Sequence, residues 1–510
     1  MRPLLILSLL LLVAGAPSAH ASEAAPAPAA SDAAQWRALS VRDIEEAYSL
    51  FRDEHPGMHD RGNPGFPAQL ERSRREALAL AERMSGAQDY PAVLAAFSAP
   101  LGDGHALVHP TRAFEEQVPD SVSWPGFVAN WRGSAMLVSR AKPELAHLTG
   151  ARVVACDGIP AAELVLRNTF DLDGRAAEPG QWWWRAHRLF LDSPGRGLAL
   201  VGAQPPRQCD FLGPDGTNHT ETLTWRPLES AAETWFRETR SGTPTPIGLT
   251  MPRPGIWLVG LSDFSPDERG REAYESLFAD LMERHEELAG ARAIMLDLRG
   301  NNGGSSHWPT RVAEHLWGED FVRAARVSHY GNVEIHWRAS EGHRAYLVSL
   351  MNSDTFPEVF RQFLHRLLSL WDDALASGQP LVAQPESPGT PSVPTGSAPP
   401  RLADVPVFVA LDGGCASACN DALDTFTRFP GTRLMGAPSS ADTRYMDVRS
   451  VITASGMARV ILPMKIWVGR PARPGPADTY APHVTLESAD WSTDRFLDLV
   501  EAQLTARAQR

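Results

Sequence analysis

The stretch Val405-Pro-Val-Phe-Val-Ala-Leu-Asp-Gly-Gly-Cys-Ala-Ser-Ala-Cys-Asn-Asp-Ala-Leu423 places an apolar strand before two glycines and a helix-forming run directly after Ser417. A strand ending in a tight turn pushes a serine hydroxyl out of its sheet, and the first amides of the following helix point at any oxyanion formed there. Ser417 therefore reads as a nucleophile, and the chain as a serine hydrolase. Because a serine hydroxyl barely ionises at neutral pH, the reading requires a base and amide donors elsewhere in the chain.

Donors are offered by Asp297-Leu-Arg-Gly-Asn-Asn-Gly-Gly304, where a buried strand ends and Gly303-Gly304 leaves backbone amides uncovered by any Cβ. A phosphate cradle is the other reading of such a loop, but the lysine and spacing of a P-loop are absent. From about residue 247 onward, strands and helices alternate: Gly255 to Leu261, a helix from Arg269 to about Leu288, Ala293 to Leu298, a helix after Ser306, then Val405 to Leu411 and the helix after Ser417. That order predicts an α/β core over 231–510. Residues 377–402, rich in Pro, Ser, Gly and Gln, read as a flexible loop within it, and Trp491 to Ala508 as a closing amphipathic helix capped by Ser492.

Upstream, apolar residues recur at helical spacing from Ser40, as in Ile44, Ala47, Leu50 and Phe51, which predicts an N-terminal helical domain over 34–117. It closes on Leu101-Gly-Asp-Gly-His-Ala-Leu-Val-His-Pro110, a Gly-rich turn carrying His105. Residues 118–230 change to short strands, predicted at 135–139, 151–156, 198–201 and 220–225. Gly150-Ala-Arg-Val-Val-Ala-Cys-Asp-Gly-Ile-Pro-Ala-Ala-Glu-Leu164 resembles the strand, Asp-Gly turn and helix of a PDZ domain, a module that holds peptide C-termini by β-augmentation. Trp182, Trp183 and Trp184 read as core packing, with an aromatic platform near a substrate as the alternative.

The chain opens with Arg2, an apolar run from Leu4 to Ala14 and Ala19-His20-Ala21, the pattern of a secretory signal over 1–21, followed by an Ala/Pro/Ser tether over 22–33. The expected location is the periplasm or the medium. Of 510 residues, 48 are basic and 61 acidic, giving −13 with no basic block, which excludes nucleic acid as an expected partner. The four cysteines are an even number in an exported chain. Cys415 and Cys419 flank Ser417, and at a helix start their Cα atoms would lie about 6 Å apart, within disulfide reach, with two buried thiols as the alternative.

Taken together, Asp297 to Gly304, the strand ending in Cys-Ala-Ser-Ala-Cys about 110 residues later, His55-Pro-Gly, the Leu-Gly-Asp-Gly-His105 turn and the PDZ-like turn resemble, in residues and order, the tail-specific (C-terminal processing) serine peptidases and their tricorn-type relatives. The resemblance implies a Clp-protease/crotonase-like core with an N-terminal helical region and a PDZ-like module. It implies Ser417 as nucleophile, with the amides of Gly304, beside Gly303, and of Ala418 as oxyanion hole. Many members of that family pair serine with a lysine about 25 residues on; here Asp442 stands in that place. Lys142 and Lys465 are the chain's two lysines and neither matches. Tricorn-type members use histidine, which suits general-base work near neutrality, and His105 falls at the family's turn, although Ala106 replaces the usual threonine. A triad also needs an acid, for which Asp442 and Asp478 compete. His109 and His483 read as structural, and His307 as a residue facing the cleft.

The expected function is an exported serine endopeptidase acting on proteins or peptides, selected through their C-termini, without metal or organic cofactor. An inactive binding protein on the same scaffold and a crotonase-like acyl hydrolase are the alternatives.

Overall fold

In the computed structural model, which describes residues 32–119, 121–352, 358–385, 400–441 and 443–509, three strands without an exposed position form the middle of a six-stranded sheet. Ile256–Gly260, Ala293–Asp297 and Val407–Leu411 are buried along their whole length. Such unbroken apolar runs need cover on both faces, which parallel strands with helical crossovers supply. The sheet runs Gly248–Arg253, Ile256–Gly260, Ala293–Asp297, Val407–Leu411, Arg433–Gly436, Val484–Thr485, parallel throughout except for the first hairpin. Helices Glu268–Glu283, His307–Trp317 and Ala418–Phe426 cover one face through Tyr274, Leu277, Val312, Leu316 and Leu423. Helix Thr493–Ala508 covers the other through Phe496, Leu497 and Val500, and the Ser492 side chain caps it by accepting from the Arg495 amide.

A second, antiparallel sheet is built around the long strand Ala458–Val468, which pairs with Tyr445–Ile452, Leu107–Pro110 and Glu334–Arg338; Leu381–Ala383 forms its edge. The N-terminal helices Ala33–Glu54, Phe66–Ala81 and Tyr90–Ser98 lay Trp36, Ile44, Phe51, Leu70 and Phe97 against Tyr445, Val460 and Leu462 of this sheet. The helical region thus shares its core with the C-terminal part of the chain. Three helices that the sequence reading passed over, Glu319–Tyr330, Glu341–Met351 and Glu358–Ser377, bury Trp371 and Leu367 with Trp337 and Trp467. The expected loop over 377–402 starts with the edge strand Leu381–Ala383, and its residues 386–399 lie outside the described part.

The β-rich region forms its own antiparallel sheet in the order Phe127–Arg132, Ala135–Ala141, Arg152–Cys156, Gln208–Leu212, Asn218–Thr222. The Asp157-Gly158 turn lies between paired strands, with φ of 50° and 78°, and the helix Ala161–Val165 follows. A Cys156–Cys209 disulfide joins two directly paired positions. The strand expected at 198–201 is instead a short 3-10 turn. Gly197 and Gly202 bracket it with φ of 68° and 70°, a left-handed entry and exit that prevents the segment from extending.

The expected signal segment 1–21 lies outside the described residues, as does the tether up to residue 31. Asp32 caps the first helix, which starts at Ala33. Among the described residues no helix is long and apolar enough to cross a membrane.

Candidate active site

Parallel pairing of Asp297 with Ala410 ends two neighbouring strands side by side, so the glycine loop and the serine turn leave the sheet at one edge. Asp412, buried at the root of the serine turn, ties them together: one carboxylate oxygen accepts the Gly300 amide at 2.7 Å and the other the Gly414 amide at 2.8 Å. Burial pushes this carboxyl up from its ordinary range, while the Ser241 hydroxyl and those amides oppose the rise. Asp297 and Arg299 form a fully buried two-pronged ion pair at 2.8 and 2.7 Å. Burial alone would raise the Asp297 carboxyl, but the guanidinium brings it below its usual value. Arg299 also donates to the Trp491 carbonyl at 2.7 Å, which anchors the loop to the C-terminal helix.

Ser417 occupies the residue before the helix Ala418–Phe426 with φ 53° and ψ −125°, a conformation costly for any residue with a Cβ. Its hydroxyl oxygen is buried and makes no hydrogen bond among the described residues. A serine held in a strained turn without a structural hydrogen bond is available for chemistry. Gly303 comes so close beneath it that a Cβ there would lie 2.7 Å from the Ala416 carbonyl oxygen and 2.9 Å from Ser417 Cβ, and its φ is 107°. The Gly303 amide, however, donates to Asn301 Oδ1 at 2.9 Å. Gly303 therefore shapes the site and is not one of the donors with which the sequence reading grouped it. Gly304, at φ 132°, bridges to Phe264, where a Cβ would lie 2.1 Å from the carbonyl oxygen. The amides of Gly304 and Ala418 are left as the candidate donor pair. Gly303→Ala is expected to lower kcat about 100-fold, the effect of a misplaced oxyanion site, with far-ultraviolet circular dichroism unchanged.

Cys415 and Cys419 form a disulfide with Cα atoms 5.3 Å apart, closing a ring that contains Ser417 and Ala418. Ser417 and one candidate donor are thus fixed in a small covalent loop. The Cys415→Ala/Cys419→Ala variant is expected to lose about tenfold in kcat with KM little changed, since misplacement of reacting groups by fractions of an ångström costs rate more than binding. Cys156→Ala/Cys209→Ala is expected to leave kcat alone and lower stability by about 2–4 kcal/mol in urea titration.

His105 and Ser417 line one cleft of about 620 Å³, together with Gly303, Gly304 and Asn302. Asp103, in the same turn as His105, accepts the His105 amide at 2.8 Å and sets the same carboxylate oxygen 3.8 Å from Nδ1 of the ring. It is 4 % exposed, and burial pushes its carboxyl up. Of the two expected acids, Asp442 lies outside the described residues. Asp478 accepts the Arg473 amide at 2.6 Å and an Arg470 guanidinium nitrogen at 3.1 Å, and it lines a neighbouring cavity rather than the cleft of Ser417 and His105. Lys465 is fully buried, ion-paired with Asp447 at 2.6 Å and not among the residues lining the cleft of Ser417 and His105. Lys142 pairs with Glu229 in the β-rich region.

The other histidines separate cleanly. His109 is exposed and bonds through Nδ1 to the Pro110 carbonyl at 3.0 Å. His483 accepts the Leu434 amide at 3.0 Å. His55 accepts the Gly57 amide, stacks on Phe66 and is pushed down to about 3 by burial, so it stays neutral and structural. His307 is exposed at the first position of its helix and is not among the cleft-lining residues.

The β-rich region braces the nucleophile turn through the helix Pro179–Arg185. A Cβ on Gly413 would meet the Gly180 carbonyl oxygen at 2.2 Å, and one on Gly414 the Trp184 ring at 2.7 Å. Trp183 is buried against Trp491, half-buried Trp182 packs on Trp131 and Phe170, and none of the three tryptophans lines the cleft of Ser417, so the run serves packing. Glu178 accepts the Ala441 amide at 2.8 Å, Arg175 donates to the Ala441 carbonyl at 3.1 Å, and Gln181 donates to the Ser440 hydroxyl. Sequence reading missed Asp412, Asn301, Asp103 and Glu178. For the first three a signal existed, a short polar side chain one or two residues from a glycine of the motif, where Asx turns form.

No family model matches the chain, and no curated protein matches it in sequence. Among solved structures, mature CPAF complexed with lactacystin superposes with a TM-score of 0.58 at 13% identity, covering 92% of this chain and 99% of that one. Mature CPAF alone gives 0.57 at 12% identity, over 92% and 98%. The photosystem II D1 C-terminal processing protease gives 0.32 at 13% identity, over 88% and 93%. These neighbours are tail-specific peptidases, and the likeness, at such identity, is one of fold.

Proposed function

We propose that this chain is an exported serine endopeptidase. Ser417 attacks the carbonyl carbon of a peptide bond, and His105 takes the hydroxyl proton and returns it to the leaving amine. The amides of Gly304 and Ala418 hold the oxyanion, and water, activated by the same histidine, releases the acyl group from Ser417. Proteins or unstructured peptides are the substrates, with the PDZ-like region over 118–230 selecting their C-termini. The observation that carries the reading is Ser417 itself. A serine at φ 53°, with no structural hydrogen bond, opens into the one cleft that also holds His105 and the glycine turn. Among the acids weighed from the sequence, Asp478 is drawn off by Arg470 and Arg473, so Asp442 keeps the role of triad acid in this proposal.

A fluorophosphonate probe and an unstructured protein substrate test the proposal on the secreted, mature protein. Labelling mapped to Ser417, together with cleavage, is expected. A wild type that neither labels nor cleaves would sink the peptidase reading in favour of a binding protein, and turnover of an acyl thioester without serine labelling would favour the crotonase-like one.

A further inference from the structure

The strand Tyr445–Ile452 pairs with Ala458–Val468 residue by residue except at Asp447, where Met446 opposes Lys465 and Val448 opposes Pro463. The register is the same on both sides of Asp447, so no residue is inserted there, yet the residue has φ 50° and only 5 % exposure. A residue with a Cβ held at positive φ re-aims its side chain at some local cost. The re-aimed carboxylate meets Lys465 at 2.6 Å, and the ammonium, fully buried, lies 5.0 Å and 5.8 Å from the Trp337 and Trp467 ring centres.

This pair lies behind the proposed base. The strand Leu107–Pro110 begins two residues after His105 and pairs at Leu107 with Ile461 of the strand that carries Lys465, whose other edge pairs with the strand of Asp447. His105 thus sits in the turn that leads into this sheet. Burial pushes the Asp447 carboxyl up, while Lys465 and, more weakly, the His105 ring pull it down, as expected of groups that sense one another. Asp103, from the turn of His105 itself, also faces the ring, and Arg175, from the β-rich region, faces Asp103 and the cleft.

We propose that the buried Asp447–Lys465 pair is a positioning element for His105: its carboxylate, aimed by the positive-φ backbone and held by the lysine, stabilises the imidazolium formed when Ser417 loses its proton. The proposal rests on the peptidase reading above. Asp447 touches no substrate and acts through the histidine. Lys465, which a lysine-dependent mechanism would use as base, serves here to hold an anion in place.

Removing one partner of a buried ion pair strands the other, whereas replacing both with neutral groups of similar shape is tolerated. The test therefore uses Asp447→Asn/Lys465→Met beside Asp447→Asn alone, with pH profiles of kcat/KM read on protein counted by fluorophosphonate labelling. Loss of a carboxylate near the base is expected to move the acidic limb of kcat/KM to lower pH in both variants. In the double variant kcat is expected to fall about tenfold with KM unchanged. An acidic limb and kcat at wild-type values in the folded double variant would overturn the proposal while leaving the peptidase reading intact. A wild type without labelling would instead remove the reading beneath it.

Discussion

Ser417→Ala lowers kcat by about 10⁵-fold or more, while the protein keeps its fold and its affinity for substrate, in the expected result of steady-state kinetics on the mature protein. The size follows from the loss of covalent catalysis at Ser417. What survives comes from substrate binding and the oxyanion site, which still act on a direct attack by water. The absence of a stability effect follows from the hydroxyl itself, which makes no hydrogen bond among the described residues, so its removal strands no partner. Alanine meets the same backbone demand as serine at φ 53°, and the midpoint of urea unfolding is expected to change by less than the equivalent of about 1 kcal/mol. A variant that retained substantial cleavage would transfer the nucleophile elsewhere and take the cleft assignment with it.

The site was legible in the sequence to the extent that its chemistry sits in contiguous stretches. The strand, double glycine and serine at 405–417, and the strand and double glycine at 293–304, announce their geometry locally, because only glycine allows the backbone approach seen between Gly303 and Ser417. The Cys415–Cys419 bond, which the spacing allowed beside two buried thiols, is present. The acid was not legible in this way. Asp478 was reached by counting positions, and the arginines that occupy it, Arg470 and Arg473, become its neighbours only through a turn containing Ala477 and Asp478 at positive φ. The helices over 319–377 were missed because they stand between two motifs and carry none, and their apolar faces matter only against a sheet assembled from four distant segments. Sequence likewise separated the N-terminal helices from the core, since the strand Leu107–Pro110, which unites them, is four residues long and carries no alternation to read.

His105→Ala is expected to cut kcat about 10⁴-fold or more, and the Ser417→Ala/His105→Ala variant to be no slower than Ser417→Ala alone, because a nucleophile and its base act as one unit and their losses do not add. Full additivity in that cycle would place the histidine outside the proton transfer. The chain offers a sharp control through its two lysines. Lys465 is buried against Asp447 at 2.6 Å and Lys142 is paired with Glu229 in the β-rich region, and neither lines the cleft of Ser417. Asp447→Asn/Lys465→Met, which leaves no lysine in the core, is therefore expected to keep kcat within about tenfold of wild type, the limit set by weaker support of the imidazolium. The contrast of three or more powers of ten between losing the histidine and losing the lysine identifies the base. The acidic limb of kcat/KM in the wild type then reports the protonation of His105, which is why its displacement in the pair variant reads the influence of Asp447 and not a change in fold.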